Sequence, residues 1–136
     1  SGNVIFTSVE PLTAQAIAKI AQIVQQQHGF KPSLMVLTQA QWQSAIRHNP
    51  FPIDDGKAVH FYFMAAKPAA TQLDKLKALA TSGEEFALHQ QVFYLHAPAG
   101  IGRSKLAANV ERYLGVSVTA RNWNTISKLS ELISIQ

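Results

Sequence analysis

Apolar positions recur along this chain with two different periods, and each change of period marks a new element. Asn3–Ser8 ("NVIFTS") is a short β-rich run with Val4 and Phe6 on one face and Ile5 on the other. From Leu12 the spacing becomes helical, with Leu12, Ala16, Ile20, Ile23 and Val24 on one stripe. Ser8 suits the cap of that helix, Pro11 is tolerated near its first turn, and Gly29 is its stop, with Phe30 folding back as an apolar clasp. After Pro32, Ser33–Thr38 reads as a second strand and Gln39–His48 as a short helix carrying Trp42, Ala45 and Ile46. Asn49–Gly56, with two prolines and a glycine, is a loop. It divides the chain into residues 1–50 and 57–136.

Beyond that loop the pattern is clearer. Ala58–Met64 ("AVHFYFM") is a strand, and Pro68–Ala80 is a helix with Leu73, Leu76, Leu79 and Ala80 on its stripe. Glu85–Ala97 reads as two strands around a turn near His89 and Gln90. Arg103–Leu114 is a helix ended by Gly115, Val116–Ala120 a short strand, and Asn122–Ile133 a final helix with Ile126, Leu129, Leu132 and Ile133 inward. The order strand, helix, strand, strand, helix, strand is that of the split βαβ, ferredoxin-like unit, with its first and third strands central in an antiparallel sheet and helices on one face only. The fold class expected is therefore α+β: two ferredoxin-like subdomains, the N-terminal one incomplete, since it offers only strand, helix and strand.

Composition narrows the chemistry. The 136 residues are 47% hydrophobic and 15% charged, which suits a globular core and not a disordered chain. With no Cys there is no disulfide framework, thiolate zinc site or Cys nucleophile. The five His show no zinc-binding spacing, so no metal or other cofactor is expected. No apolar run approaches the roughly 18 residues that span a bilayer, no signal peptide is visible, and a cytoplasmic protein is the default. The net charge of +4 permits attraction to phosphates, without a dense Lys/Arg run to mark a nucleic-acid protein.

Four segments carry a family resemblance: "SGNVIF" from Ser1, "GEEFAL" from Gly83, "YLHAPAGIGRSKL" from Tyr94 and "TARNWNTISKL" from Thr119. In order and separation they resemble the domain-of-unknown-function family 1697, bacterial proteins with no settled biochemical role, and the resemblance extends over essentially the whole chain. Members of that family carry a strand and helix ahead of the "SGNV" segment, including a "LLRGINVGG"-like stretch. The resemblance thus implies that the first subdomain here lacks its opening elements. Self-association or domain exchange through its exposed apolar surface and strand edges is expected.

Two surfaces are candidates for binding. At the first, Gly100 and Gly102 precede a helix start with Arg103, Ser104 and Lys105 in sequence. Glycines allow close backbone approach, and helix-start amides with a guanidinium suit a phosphate or carboxylate. Arg121, Asn122 and Lys128 are candidates to join that cluster, and a phosphate-bearing small molecule is the expected partner. The alternative is a tight turn capped by Ser104 with its basic residues in solvent. The spacing is neither a Walker loop nor a complete dinucleotide fingerprint.

The second surface follows from alternation. Val59, Phe61 and Phe63, with Phe93 and Leu95, form apolar sets that belong under the helices, which leaves His60, Tyr62, Tyr94 and His96 on a helix-free sheet face. Aromatics there would stack the bases of single-stranded nucleic acid if exposed. The alternative is that another part of the protein covers them. His60 and His96 are the candidates for acid–base catalysis, with His96 the one an enzyme reading would use.

Overall fold

The computed structural model describes residues 2–8, 10, 12–29, 34–68, 71–81 and 83–135. The expectations for Pro11, Phe30, Pro32 and Ser33 lie outside the described residues. The chain forms two compact units, Ser1–Leu37 and Thr38–Gln136. The division falls before the helix that begins at Gln39, and not at the Asn49–Gly56 loop where sequence placed it.

Among the described residues of the first unit the single regular element is α1 (Ala14–His28). Its cap is Thr13, not Ser8: the Thr13 hydroxyl accepts from the Ala16 amide at 3.1 Å. Gly29 ends it in the left-handed region (φ 78°), donating its amide to the Gln25 carbonyl at 2.9 Å. Residues 3–8 and the described part, 34–38, of the Ser33–Thr38 run, both expected as strands, take no strand structure, and Val4 and Phe6 are exposed. Alternation supplies a face to bury, but a strand also needs a neighbour to accept its backbone hydrogen bonds.

The second unit opens with α2 (Gln39–Arg47). Thr38 and Gln41 form a reciprocal capping box there, the Thr38 hydroxyl accepting from the Gln41 amide and the Gln41 side chain from the Thr38 amide. Then follow β1 (Val59–Met64), α3 (Leu73–Leu79), β2 (Glu85–His89), β3 (Val92–His96), α4 (Lys105–Ala108), α5 (Val110–Leu114), β4 (Val118–Asn122) and α6 (Trp123–Ile135). The helix expected over Arg103–Leu114 is two short helices. Asn109 breaks it, its side-chain amide donating to the Lys105 carbonyl at 2.7 Å in place of a regular helical turn. Among the described residues the fold is α+β, with six helices and one antiparallel sheet in the order β2-β3-β1-β4. β1 and β3 are central.

Register decides the faces of this sheet. Phe61 pairs with Tyr94 and Arg121, so these three share one face; Tyr62 pairs with Phe93 and Ala120 on the other. The face bearing Tyr62, Met64, Phe93 and Leu95 packs under α3, α4 and α5 through Leu76, Leu106, Val110 and Leu114. The opposite face is covered as well. Trp42 of α2 stacks on Phe63 at 5.6 Å, and Trp123 of α6 lies 5.9 Å from Phe61. The Trp42 indole donates to the Ser130 hydroxyl at 3.0 Å, tying α2 to α6 over that face. With helices on both sides, all six residues of β1 are buried. Helices on one face only was therefore the wrong expectation.

Candidate functional site

The sheet-face site does not exist as a surface. Its four residues divide by register, with His60 and Tyr62 on the α3–α5 side and Tyr94 and His96 on the α2–α6 side. Tyr62 is 5% exposed and Tyr94 0%, so neither ring is open to a base. Burial pushes both phenols up to about 12. The Tyr94 hydroxyl donates to the Ala45 carbonyl of α2 at 2.6 Å. His96 is half-buried and stacks on Phe51 at 5.6 Å. His60 is buried, and its Nδ1 has no hydrogen-bond partner. Desolvation lowers its pKa, opposed by a hydrogen bond at the Ala58 backbone. The two histidines face opposite sides of the sheet and form no acid–base pair.

The glycine loop is built largely as a turn. Gly100 adopts φ 87°, a conformation costly for any other residue, and its amide donates to the Ala97 carbonyl at 2.8 Å. The Ser104 amide donates to the Ile101 carbonyl at 3.2 Å. The Ser104 hydroxyl caps α4 by accepting from the Ala107 amide at 3.0 Å and also bonds the Glu84 carboxylate. Burial would raise the Glu84 pKa, but hydrogen bonds from Ser104 and from the backbone and hydroxyl of Thr81 outweigh it and hold the carboxyl below its usual range. The Ser104 hydroxyl, one of the groups expected to hold an anion, is thus already engaged by the Ala107 amide and the Glu84 carboxylate. Arg103 and Lys105 are exposed.

The other members of the expected cluster lie elsewhere. Asn122 caps α6, its side-chain oxygen accepting from the Thr125 amide at 3.0 Å. Arg121 directs Nη1 to the Ala120 carbonyl at 2.7 Å. Lys128 is exposed on α6, which packs on the sheet face opposite α4. Among the described residues no group of three or more His, Asp or Glu is gathered to hold a metal, and no helix is long and apolar enough to cross a membrane.

Residues 1–94 match the family described as "Protein of unknown function (DUF1697)". The chain belongs to that family. The segments from Tyr94 and Thr119 lie at or beyond the end of the match, so of the four segments only the first two fall wholly within the DUF1697 match. No curated protein and no solved structure matches the chain.

What sequence reasoning missed in this DUF1697 chain is a groove along the outer edge of β2. Its volume is about 570 Å³, and its walls are Pro50 and Phe51 on one side and Leu73, Lys77 and Ala80 on the other, over a floor of Glu84–Ala87. The floor is a strand edge with free backbone groups. The Met64 amide bonds the Gln91 carbonyl and the Ala97 amide bonds the Ala58 carbonyl. The pairs Phe63–Val92 and Val59–His96 are therefore non-bonded positions of the β1–β3 ladder, so Val92, Tyr94 and His96 turn their backbone groups to β2. On β2 these engage Glu85, Ala87 and His89. The N–H and C=O of Phe86 and Leu88 then point outward.

The other edge of the sheet is treated differently. The Ala65 amide bonds the Ser117 carbonyl, which by the same parity turns the backbone groups of Val118 and Ala120 outward from β4. There the Glu111 carboxylate accepts from the Val118 amide at 3.4 Å and Arg121 donates to the Ala120 carbonyl. Side chains thus engage the Val118 N–H and the Ala120 C=O of the β4 edge; among the described residues none does so for Phe86 or Leu88 of β2. The hairpin between His89 and Val92 was readable in sequence, and it was the one signal for an edge strand.

Proposed function

We propose that this protein is a binding module that takes an extended polypeptide segment along β2 as an added strand. The observation that carries the reading is the contrast between the two edges, with β4 partly masked by Glu111 and Arg121 and β2 lying unmasked in a groove. Strand addition draws affinity from main-chain hydrogen bonds and specificity from pockets for alternate side chains. Phe86 and Leu88 supply the former; Phe51 and Pro50 on one side and Leu73 and Lys77 on the other supply the latter. The order of elements and strands supports reading Val59–Asn122 as a ferredoxin-like unit. In that unit the β2 edge is the exit for sheet extension.

The test is amide exchange read by NMR on the full chain, in the presence of an array of eight-residue peptides alternating β-branched and charged residues. Slowed exchange at Phe86 and Leu88 is expected with at least one peptide. Unchanged exchange at both amides across the array sinks the reading.

A phosphate-bearing ligand at the Gly100–Lys105 turn is the second reading. It is favoured by one observation: nothing lies within 4 Å of a Cβ built at Gly100 or Gly102, so the backbone there is open to approach beside the exposed Arg103. Titration with inorganic phosphate, a nucleotide and a sugar phosphate, each against the Arg103→Ala variant, tests it. Equal affinities for both proteins remove the turn from consideration.

A further inference from the structure

The β2 edge has a property beyond being open: it is complementary to itself. Resting on the strand-addition reading, we infer that the segment it accepts is β2 of a second copy of this chain, paired antiparallel about Ala87. The register follows from parity. Only Phe86 and Leu88 have outward backbone groups, so each ladder pair that exchanges hydrogen bonds must join two such residues. The register that overlaps the whole of Glu85–His89 sets Phe86 against Leu88 of the second copy, twice over by symmetry, and Ala87 against its own mate. It also sets Glu85 opposite His89 at both ends. Registers slipped by two residues set Glu85 or His89 against Ala87 and lose that match.

The charge arrangement favours this partner. Glu85, Ala87 and His89 lie on the α2–α6 side of the sheet, since they pair with His96, Tyr94 and Val92. On that side His89 stacks face to face with His48, ring centroids 3.9 Å apart, so an incoming Glu85 carboxylate meets two imidazoles. The nearest acids along β2 are Glu84 and Glu85, both at the strand's other end, where the second copy brings its own His89 and His48. A symmetric pair of strands is the usual form of a two-fold interface, in which one patch serves both subunits. Continuing one sheet into another also removes the unmasked edge from water.

Sedimentation equilibrium on the full chain, from micromolar to about 1 mM, tests the inference. A reversible monomer–dimer equilibrium is expected. Glu85→Lys, which replaces the carboxylate facing the imidazoles by an ammonium at both ends, is expected to weaken it about tenfold or more. Glu85→Lys combined with His89→Glu restores the opposition of charge and is expected to bring the dimer back. Rescue separates edge pairing from a fold defect, because a misfolded single variant is not repaired by a second reversal. A dimer indifferent to Glu85→Lys, or one not recovered by the double change, overturns the proposed register. A chain monomeric at about 1 mM overturns self-pairing. In that case protection of Phe86 and Leu88 by the peptide array still upholds strand addition, whereas its absence removes both.

Discussion

The hydroxyl of Tyr94 bears more on stability than its size suggests. In a longer helix the Ala45 carbonyl would accept from the amide of residue 49, but Asn49 donates to Ile46 instead, at 3.3 Å. Ala45 is thus one of the orphan carbonyls at the end of α2, and Tyr94, 49 residues away and wholly buried, satisfies it at 2.6 Å. Tyr94→Phe keeps the ring and its edge-on contact with Phe61 while leaving that carbonyl unpaired under the helix. Stranding a buried acceptor costs about 1–3 kcal/mol. For a cooperative unit of about 100 residues, 1 kcal/mol corresponds to about 4–8 °C in Tm, so a fall of about 10 °C is expected. The assay is thermal unfolding followed in the near-UV, with Tyr62→Phe as the control. Tyr62 is also buried, but its hydroxyl makes no hydrogen bond among the described residues, and its loss should move Tm by no more than about 2 °C. Equal small shifts for both variants would refute the reasoning that Tyr94 caps α2.

Two further outcomes are expected. His60 has a folded pKa below its unfolded value of 6.5, so the unfolded chain binds the proton first as pH falls; stability drops from near 6.5 down to the folded pKa and then levels off. Urea midpoints for the wild type and His60→Leu should diverge in pH slope within that window, and parallel slopes would remove His60 as a source of acid sensitivity. In the β2–β3 turn, Gln90 adopts φ 53°, which suits glycine better than a residue with a Cβ. Gln90→Gly should stabilise the chain by about 0.5–1 kcal/mol in equilibrium unfolding, and a loss of stability would show that the Gln90 side chain outweighs its backbone strain.

Elements were more legible than faces. Helix ends carried their chemistry in plain view at Thr38–Gln41, Gly29, Ser104, Gly115 and Asn122, although Ser8 was preferred to Thr13 for the first cap. The runs "VHFYFM" and "VFYLH" were correctly strands, yet assigning inner and outer faces to each alone joined Tyr62 with Tyr94. A shift of register by one residue exchanges every side chain between faces, and the register of β1 against β3 is not written in either strand. The signal that was present is the near absence of polar residues on both sides of β1, the mark of a strand buried twice over. The candidate anion loop was correctly seen as glycine-dependent at Gly100. The contact of its Ser104 hydroxyl with Glu84 reaches across 20 residues of sequence and could not be read from spacing.

The link between Trp42 and Ser130 spans 88 residues of chain. During synthesis, α2 leaves the ribosome long before α6, and β1 waits for β4 even after it has paired with β3. Until the last helix emerges, Phe61 and Phe63 have only α2 as shelter. From the pairing of β1 with β3 until α6 docks, the nascent sheet is greasy and half-roofed, which makes α6, and not α2, the element that completes its shelter.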